Sequence, residues 1–239
     1  MIKDFIYVQT TAAKDTLKTI KHLPMLLLHF VAYYVIYTLI ISLYALLPIN
    51  TGIIGGIILY VIRGMIFSHL LYTLDSIINS DRIYIKHLKE GFTKYLSTSI
   101  TAFFVYYLLS MVIGMMTASG YNINVAIMLQ ILVFVAFSAV AESIYIAGAY
   151  RYDSFFTGIN VVFENPINWT LVQLGFFVVG FLLKINPDIF SAFPSVVYTG
   201  NIIYSLIHIL FMSIYMLYSG NLFKIIYNST ARKREYMRR

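Results

Sequence analysis

An all-α, polytopic membrane protein of six transmembrane helices is the fold this sequence predicts, on three observations. The residues are 60% hydrophobic and only 11% charged, against about a quarter charged in soluble domains. Long apolar runs recur along the chain, each near the ~20 residues that a ~30 Å hydrocarbon core demands. Lys and Arg fall almost wholly in alternate loops, as the positive-inside rule requires. Divided this way, 239 residues leave short connections and no room for a separate catalytic domain.

Taken in order, the apolar runs place spans at about residues 24–47, 53–74, 98–118, 125–149, 169–185 and 196–218. Each must be helical, because irregular backbone cannot face lipid. The first run opens only at Leu23 and no small-residue cleavage pattern follows it, so insertion is expected through the spans rather than a cleaved leader. Fifteen Lys and Arg lie at one end: those before Leu23, those between Asp75 and Leu96, Arg151, and those after Tyr218. Lys184 falls at the other end and Arg63 lies within a span. Both termini are therefore expected in the cytoplasm of a multi-pass plasma-membrane protein of bacterial type.

Ahead of each odd span runs an amphipathic stretch with the 3.6-residue period of a helix. In the first, Ile2, Phe5, Ala13, Leu17 and Ile20 oppose Lys14, Lys18 and Lys21. In the second, Ile85, Leu88, Phe92 and Tyr95 oppose Arg82, Lys86 and Lys89, and the third has Phe156, Ile159, Val162 and Phe163 with little charge. Helices of this kind lie in the headgroup plane with basic faces toward anionic lipid. Arg232, Lys233 and Arg234 extend that surface, and a basic cluster beside a span meets phospholipid headgroups rather than nucleic acid. Trp169, the sole tryptophan, stands where an interface anchor would.

The inner ends of the even spans carry Tyr72-x-x-Asp75, Tyr150-x-x-Asp153 and Tyr218-x-x-Asn221. On that pattern a single membrane domain, 1–227, divides into three like-oriented hairpins, 1–76, 77–154 and 155–227, followed by a basic tail, 228–239. Any hairpin protein obeying the positive-inside rule is periodic at this level, so the repeat rests on those matched residues. Small residues also recur at helical spacing: Gly52 and Gly56, Ser110, Gly114 and Ala118, and Ala139, Ser143 and Ala147. Both dimerisation and close packing within the chain explain them, and packing within the chain is the preferred reading.

The polar residues inside the spans carry the functional question, because a lone charge in the hydrocarbon core is costly. Counted from the Tyr-x-x-Asp/Asn markers at 1.5 Å per residue, Arg63 and Glu142 stand ~18 and ~16 Å above the inner surface and His208 ~19 Å. The expectation is that spans two, four and six pack together, with Arg63 paired to Glu142 and His208 beside them. One reading makes this pair structural. The other makes Glu142 a proton or substrate site in a transport pathway, with His69, Gln130 and Gln173 as further members of the polar interior. Catalytic patterns are missing: no His-Glu-x-x-His, no Gly-x-Ser-x-Gly, no phosphate-cradling glycine loop and no cysteine. No catalytic residue, metal site or cofactor is therefore assigned, although an enzyme built on Glu142 and His208 stays a third reading.

Glu142-Ser143-Ile144-Tyr145, then Asp153-Ser154, then Phe163-Glu164-Asn165-Pro166-Ile167-Asn168-Trp169 resemble a segment of bacterial multi-span families of uncharacterised function. These are similar to the membrane domain attached to some glycerophosphodiester phosphodiesterases. The resemblance covers about thirty residues through a loose motif, and Gly158 and Asn160 stand where basic residues are common. It implies a six-helix module with interfacial helices and no catalytic residue, since the phosphodiesterase chemistry belongs to a separate domain. The sequence thus leads to a non-enzymatic module: a partner subunit, assembly factor or immunity-type protein with a protein partner in the membrane. A small transporter, or a membrane subunit of one, is the alternative.

Overall fold

A computed structural model describes residues 2–46, 52–82, 88–118, 123–185 and 202–237. Its helices are α1 Ile2–Thr19, α2 Leu23–Leu46, α3 Gly52–Ser80, α4 Leu88–Lys94, α5 Leu96–Ala118, α6 Ile123–Phe137, α7 Val140–Tyr145, α8 Asp153–Glu164, α9 Pro166–Leu182, α10 Ile202–Asn228 and α11 Ala231–Met237. No strand occurs among the described residues. Lys86 and the outer turns around Pro48, Tyr121 and Pro187 lie outside them.

Five helical stretches are long and apolar enough to cross a membrane, and they are carried by α2, α3, α5, α6 with α7, and α10. The expected fifth span takes a different form. The 17 residues of α9 reach only ~26 Å, and α9 joins α8 at an angle of 102°. Asn165, at φ −130° and ψ 50°, leaves the helical region and Pro166 opens α9, where a missing N–H costs nothing. An amphipathic helix followed by a turn into an apolar one is the order expected there. Counted as one broken span, the pair brings the total to six.

α3 has 29 residues and α10 has 27, so they run ~43 and ~40 Å where the hydrocarbon core is ~30 Å. Their surplus turns gather at one end, where α4 packs on α3, α8 on α7 and α1 on α10. Burial is concentrated there too. On α3, Phe67, Leu70, Leu71, Leu74 and Ile77 are enclosed while Ile57 and Ile58 are exposed, and on α10 Met212, Leu217, Leu222 and Phe223 are enclosed. The helices are thus cemented at their basic end. α5 turns Phe104, Tyr107, Met111 and Met115 outward, as a lipid-facing helix does.

The small-residue stripes divide. Ala139 is fully buried, and a Cβ on Gly158 would fall 3.1–3.2 Å from the Ala139–Val140 backbone, so this pair does bring α8 close to the α6–α7 joint. A Cβ on Gly56 or Gly114 would meet nothing within 4 Å. Among the described residues no other helix comes that close to either glycine at its Cβ position, where the sequence led us to expect close packing.

Candidate functional site

Spans two, four and six do pack together, since α3, α7 and α10 are in mutual contact, but the three ionisable residues do not share a level. A Cβ on Gly220 would overlap both the Tyr145 hydroxyl and Ile78 Cδ1, which sets Tyr145 beside the inner ends of α3 and α10. Glu142, less than one turn before Tyr145, belongs to that level. Arg63 lies ~22 Å from Ile78 along α3 and His208 ~18 Å from Gly220 along α10. The common depth inferred from spacing fails because the ruler of 1.5 Å per residue fails. The helix breaks at Ser138–Ala139 and stops at Tyr145, so the residues down to Tyr150 do not descend as a helix.

Glu142 enters no ion pair among the described residues. The guanidinium of Arg63 instead lies over the Phe103 ring at 4.6 Å, and Gly64 beside it packs against Ile100 of α5. His208 is buried on α10, edge-on to Tyr204 at 6.4 Å. Gln173 does join the interior: it accepts from the Tyr215 hydroxyl at 2.7 Å and donates to Ser219 Oγ at 3.2 Å. Gln130 is exposed.

What surrounds Glu142 is a polar layer at the basic ends of the helices. Glu142 is 5% and Tyr145 4% exposed, and both Glu142 Oε2 and the Tyr145 hydroxyl have no hydrogen-bond partner. Ser143, between them, places Oγ 2.7 Å from the carbonyls of Val140 and Ser154 and so ties α7 to α8. On α3, Asp75 accepts from Lys94, the Tyr95 hydroxyl and Asn79, each at 2.8 Å. Burial, ahead of these contacts, pushes the Tyr95 phenol up to about 12. Hydrogen bonds from Lys21 and His22 hold the Asp81 carboxyl below its ordinary range.

The basic residues separate into two kinds. Lys14, Lys18, Lys21, Arg82, Lys89, Arg232 and Lys233 are exposed, as a surface-facing set should be. Arg234 corrects the expectation, being 1% exposed. Its Nε and Nη2 each donate to Asp4 at 3.0 Å, and Nη2 also donates to Asn165 Oδ1 at 3.3 Å. Asn168 donates to the same Asp4 carboxylate at 3.0 Å, Gln9 to the Asn168 carbonyl at 2.9 Å, and Tyr218 to Gln9 at 2.6 Å. This network binds α1, α9, α10 and α11 and brings both termini to one end. Trp169 belongs to its wall rather than to an interface: it is fully buried, donates to Ser138 Oγ at 2.8 Å and meets Phe223 edge-on.

A further cluster escapes sequence reading. His29 and His69 stack at 5.6 Å, Tyr33 is hydrogen-bonded to His69, and Phe92 of α4 lies 4.4 Å from the His69 ring. The forty residues between the histidines hide the contact, although each recurs on the inner half of its span. Among the described residues no three His, Asp or Glu side chains converge as metal ligands would. Comparison with known proteins gives no match to a family, a curated protein or a solved structure.

Proposed function

We propose that this chain is a non-catalytic integral membrane module, with its basic end in the cytoplasm, that serves a larger assembly by pairing with another protein inside the bilayer. Gln130 carries this reading. It lies on the outward face of α6 among exposed Ile127, Met128 and Leu132, ~12 Å along the helix from the Ser138 contact to Trp169. A side-chain amide with nothing but lipid around it forfeits its hydrogen bonds. Against a partner helix it regains them, a gain of roughly 0.6–2 kcal/mol. The neighbouring α5 offers Ser110 and Gly114 on exposed positions, where a partner backbone approaches closely.

A photo-crosslinking residue placed at Gln130 in intact membranes tests this. The expected product is an adduct of discrete protein mass, with none from the same probe at Leu171, exposed on α9. Lipid adducts alone at Gln130 would remove the partner reading.

The transporter reading draws on one specific observation, the buried Glu142 oxygen and Tyr145 hydroxyl that bond to nothing. Most polar groups around them bind helix to helix, which is why the module reading is preferred.

A further inference from the structure

Arg151 is an exposed cation held in place without a carboxylate among the described residues. Its backbone has φ 47°, a left-handed conformation that L side chains adopt rarely. Its N–H donates to Thr98 Oγ1 at 3.2 Å and its Nε to Ser97 Oγ at 3.0 Å, and the guanidinium lies 4.9 Å from the Tyr150 ring. No carboxylate among the described residues neutralises it. Arg151 lines a cavity of about 500 Å³ together with Thr93, Ser97 and Thr101, and Leu96 and Ile100 supply its apolar lining. The Tyr150 phenol is lowered first by its hydrogen bond to Ser97 and then by the Arg151 charge.

We infer that this cleft binds the phosphate of an anionic phospholipid headgroup. The guanidinium presents its Nη pair to two phosphate oxygens, the bidentate geometry that favours arginine over lysine for this group. Thr93 and Thr101 donate their hydroxyls to the Glu90 and Ser97 carbonyls at 3.2 and 2.9 Å, so the guanidinium is the group that meets the phosphate. A soluble phosphate shares that chemistry, but the apolar side of the cleft points to lipid. Leu96 and Ile100 are the first turns of a membrane-spanning helix, so acyl chains follow them directly into the bilayer. Lys18 of α1 lines a cavity too, but that cavity also holds Asp15 and Asp81, with Lys18 paired to Asp15 at 2.7 Å, and so is less suited to an anion.

The test uses the full chain in detergent micelles containing phosphatidylglycerol and phosphatidylcholine, with native mass spectrometry counting retained lipid. Arg151→Gln is expected to lower phosphatidylglycerol retention on the order of tenfold and to leave phosphatidylcholine retention unchanged. Lys3→Gln, the same charge loss at an exposed site of the same end, is expected to change neither. Equal retention by Arg151→Gln and the unaltered chain would overturn the inference, as would an equal loss in Lys3→Gln, which would mean diffuse attraction. Inorganic phosphate alone supplies the other arm: Arg151-dependent phosphate binding that phosphatidylglycerol does not displace would overturn the lipid source. If Arg151→Gln fails to fold, Arg151→Lys, which keeps the charge and loses the paired donors of the guanidinium, must reduce phosphatidylglycerol retention, and its failure to do so counts against the site.

Discussion

Arg234 and Asp4 stand 230 positions apart and meet through two hydrogen bonds in a buried fork. A guanidinium in that position is stabilising only while its partner is present, because removing one member strands the other's charge away from water. Arg234→Gln is expected to cost about 3 kcal/mol, read as a lowered unfolding temperature in mild detergent. Adding Asp4→Asn should recover part of the loss, since the stranded carboxylate goes with it. A neutral single variant would mean that the fork does not constrain the fold. Tyr95 gives a pH test at the same scale. Its phenol is raised by burial to about 12, so the neutral form is favoured in the folded chain. The stability this lends is full below the ordinary phenol value of ~10 and is lost as pH climbs from there toward 12. Unfolding followed between pH 9 and 12 should therefore fall less steeply in Tyr95→Phe than in the unaltered chain.

Among the elements, the α6–α7 joint explains what the sequence could and could not disclose. Spans are legible because lipid forces a long apolar run wherever a helix crosses, and the α8–α9 bend is legible in Asn165-Pro166. The break at Ser138–Ala139 contains neither proline nor glycine, so nothing local announces it, whereas the depth count from Asp153 misplaced Glu142 because the chain leaves the helix between Tyr145 and Asp153, where Gly148 takes φ 67°. Long-range contacts were hidden for a different reason. Arg234 reads as one more basic residue in a basic tail, and only the arrival of Asp4, Asn165 and Asn168 makes it a core residue. Packing at the joint yields a paired prediction. Gly158→Leu drives a side chain into the Ala139–Val140 backbone, which cannot yield as a side chain would, and should cost roughly 1–3 kcal/mol. Gly114→Ala meets nothing within 4 Å and should be neutral or stabilising by up to ~1 kcal/mol through helix propensity. Thermal unfolding of the two variants side by side separates the effects.

In the molecule as a whole, the inner end of each even span meets the helix that opens the next hairpin. Asp75 of α3 binds Lys94 and Tyr95 at the α4–α5 junction, α7 packs on α8, and Asn221 of α10 donates to Thr16 and Thr19 of α1 at 3.4 and 3.2 Å. The third contact returns to the first hairpin, so the links close into a ring, and the Asp4–Arg234 fork fastens the termini beside it. Lys224 adds a strut by donating to the Ile78 carbonyl at 2.7 Å. On this account the polar layer around Glu142 is the seam of that ring and not part of an aqueous route. The chain has no cysteine, so Glu142→Cys introduces a single thiol whose contact with water can be read in intact membranes with a small charged thiol reagent. The account predicts no modification from either side while Lys18→Cys, exposed at the basic end, is modified readily; labelling of Glu142→Cys at a comparable rate would contradict it and make the transport pathway the better description.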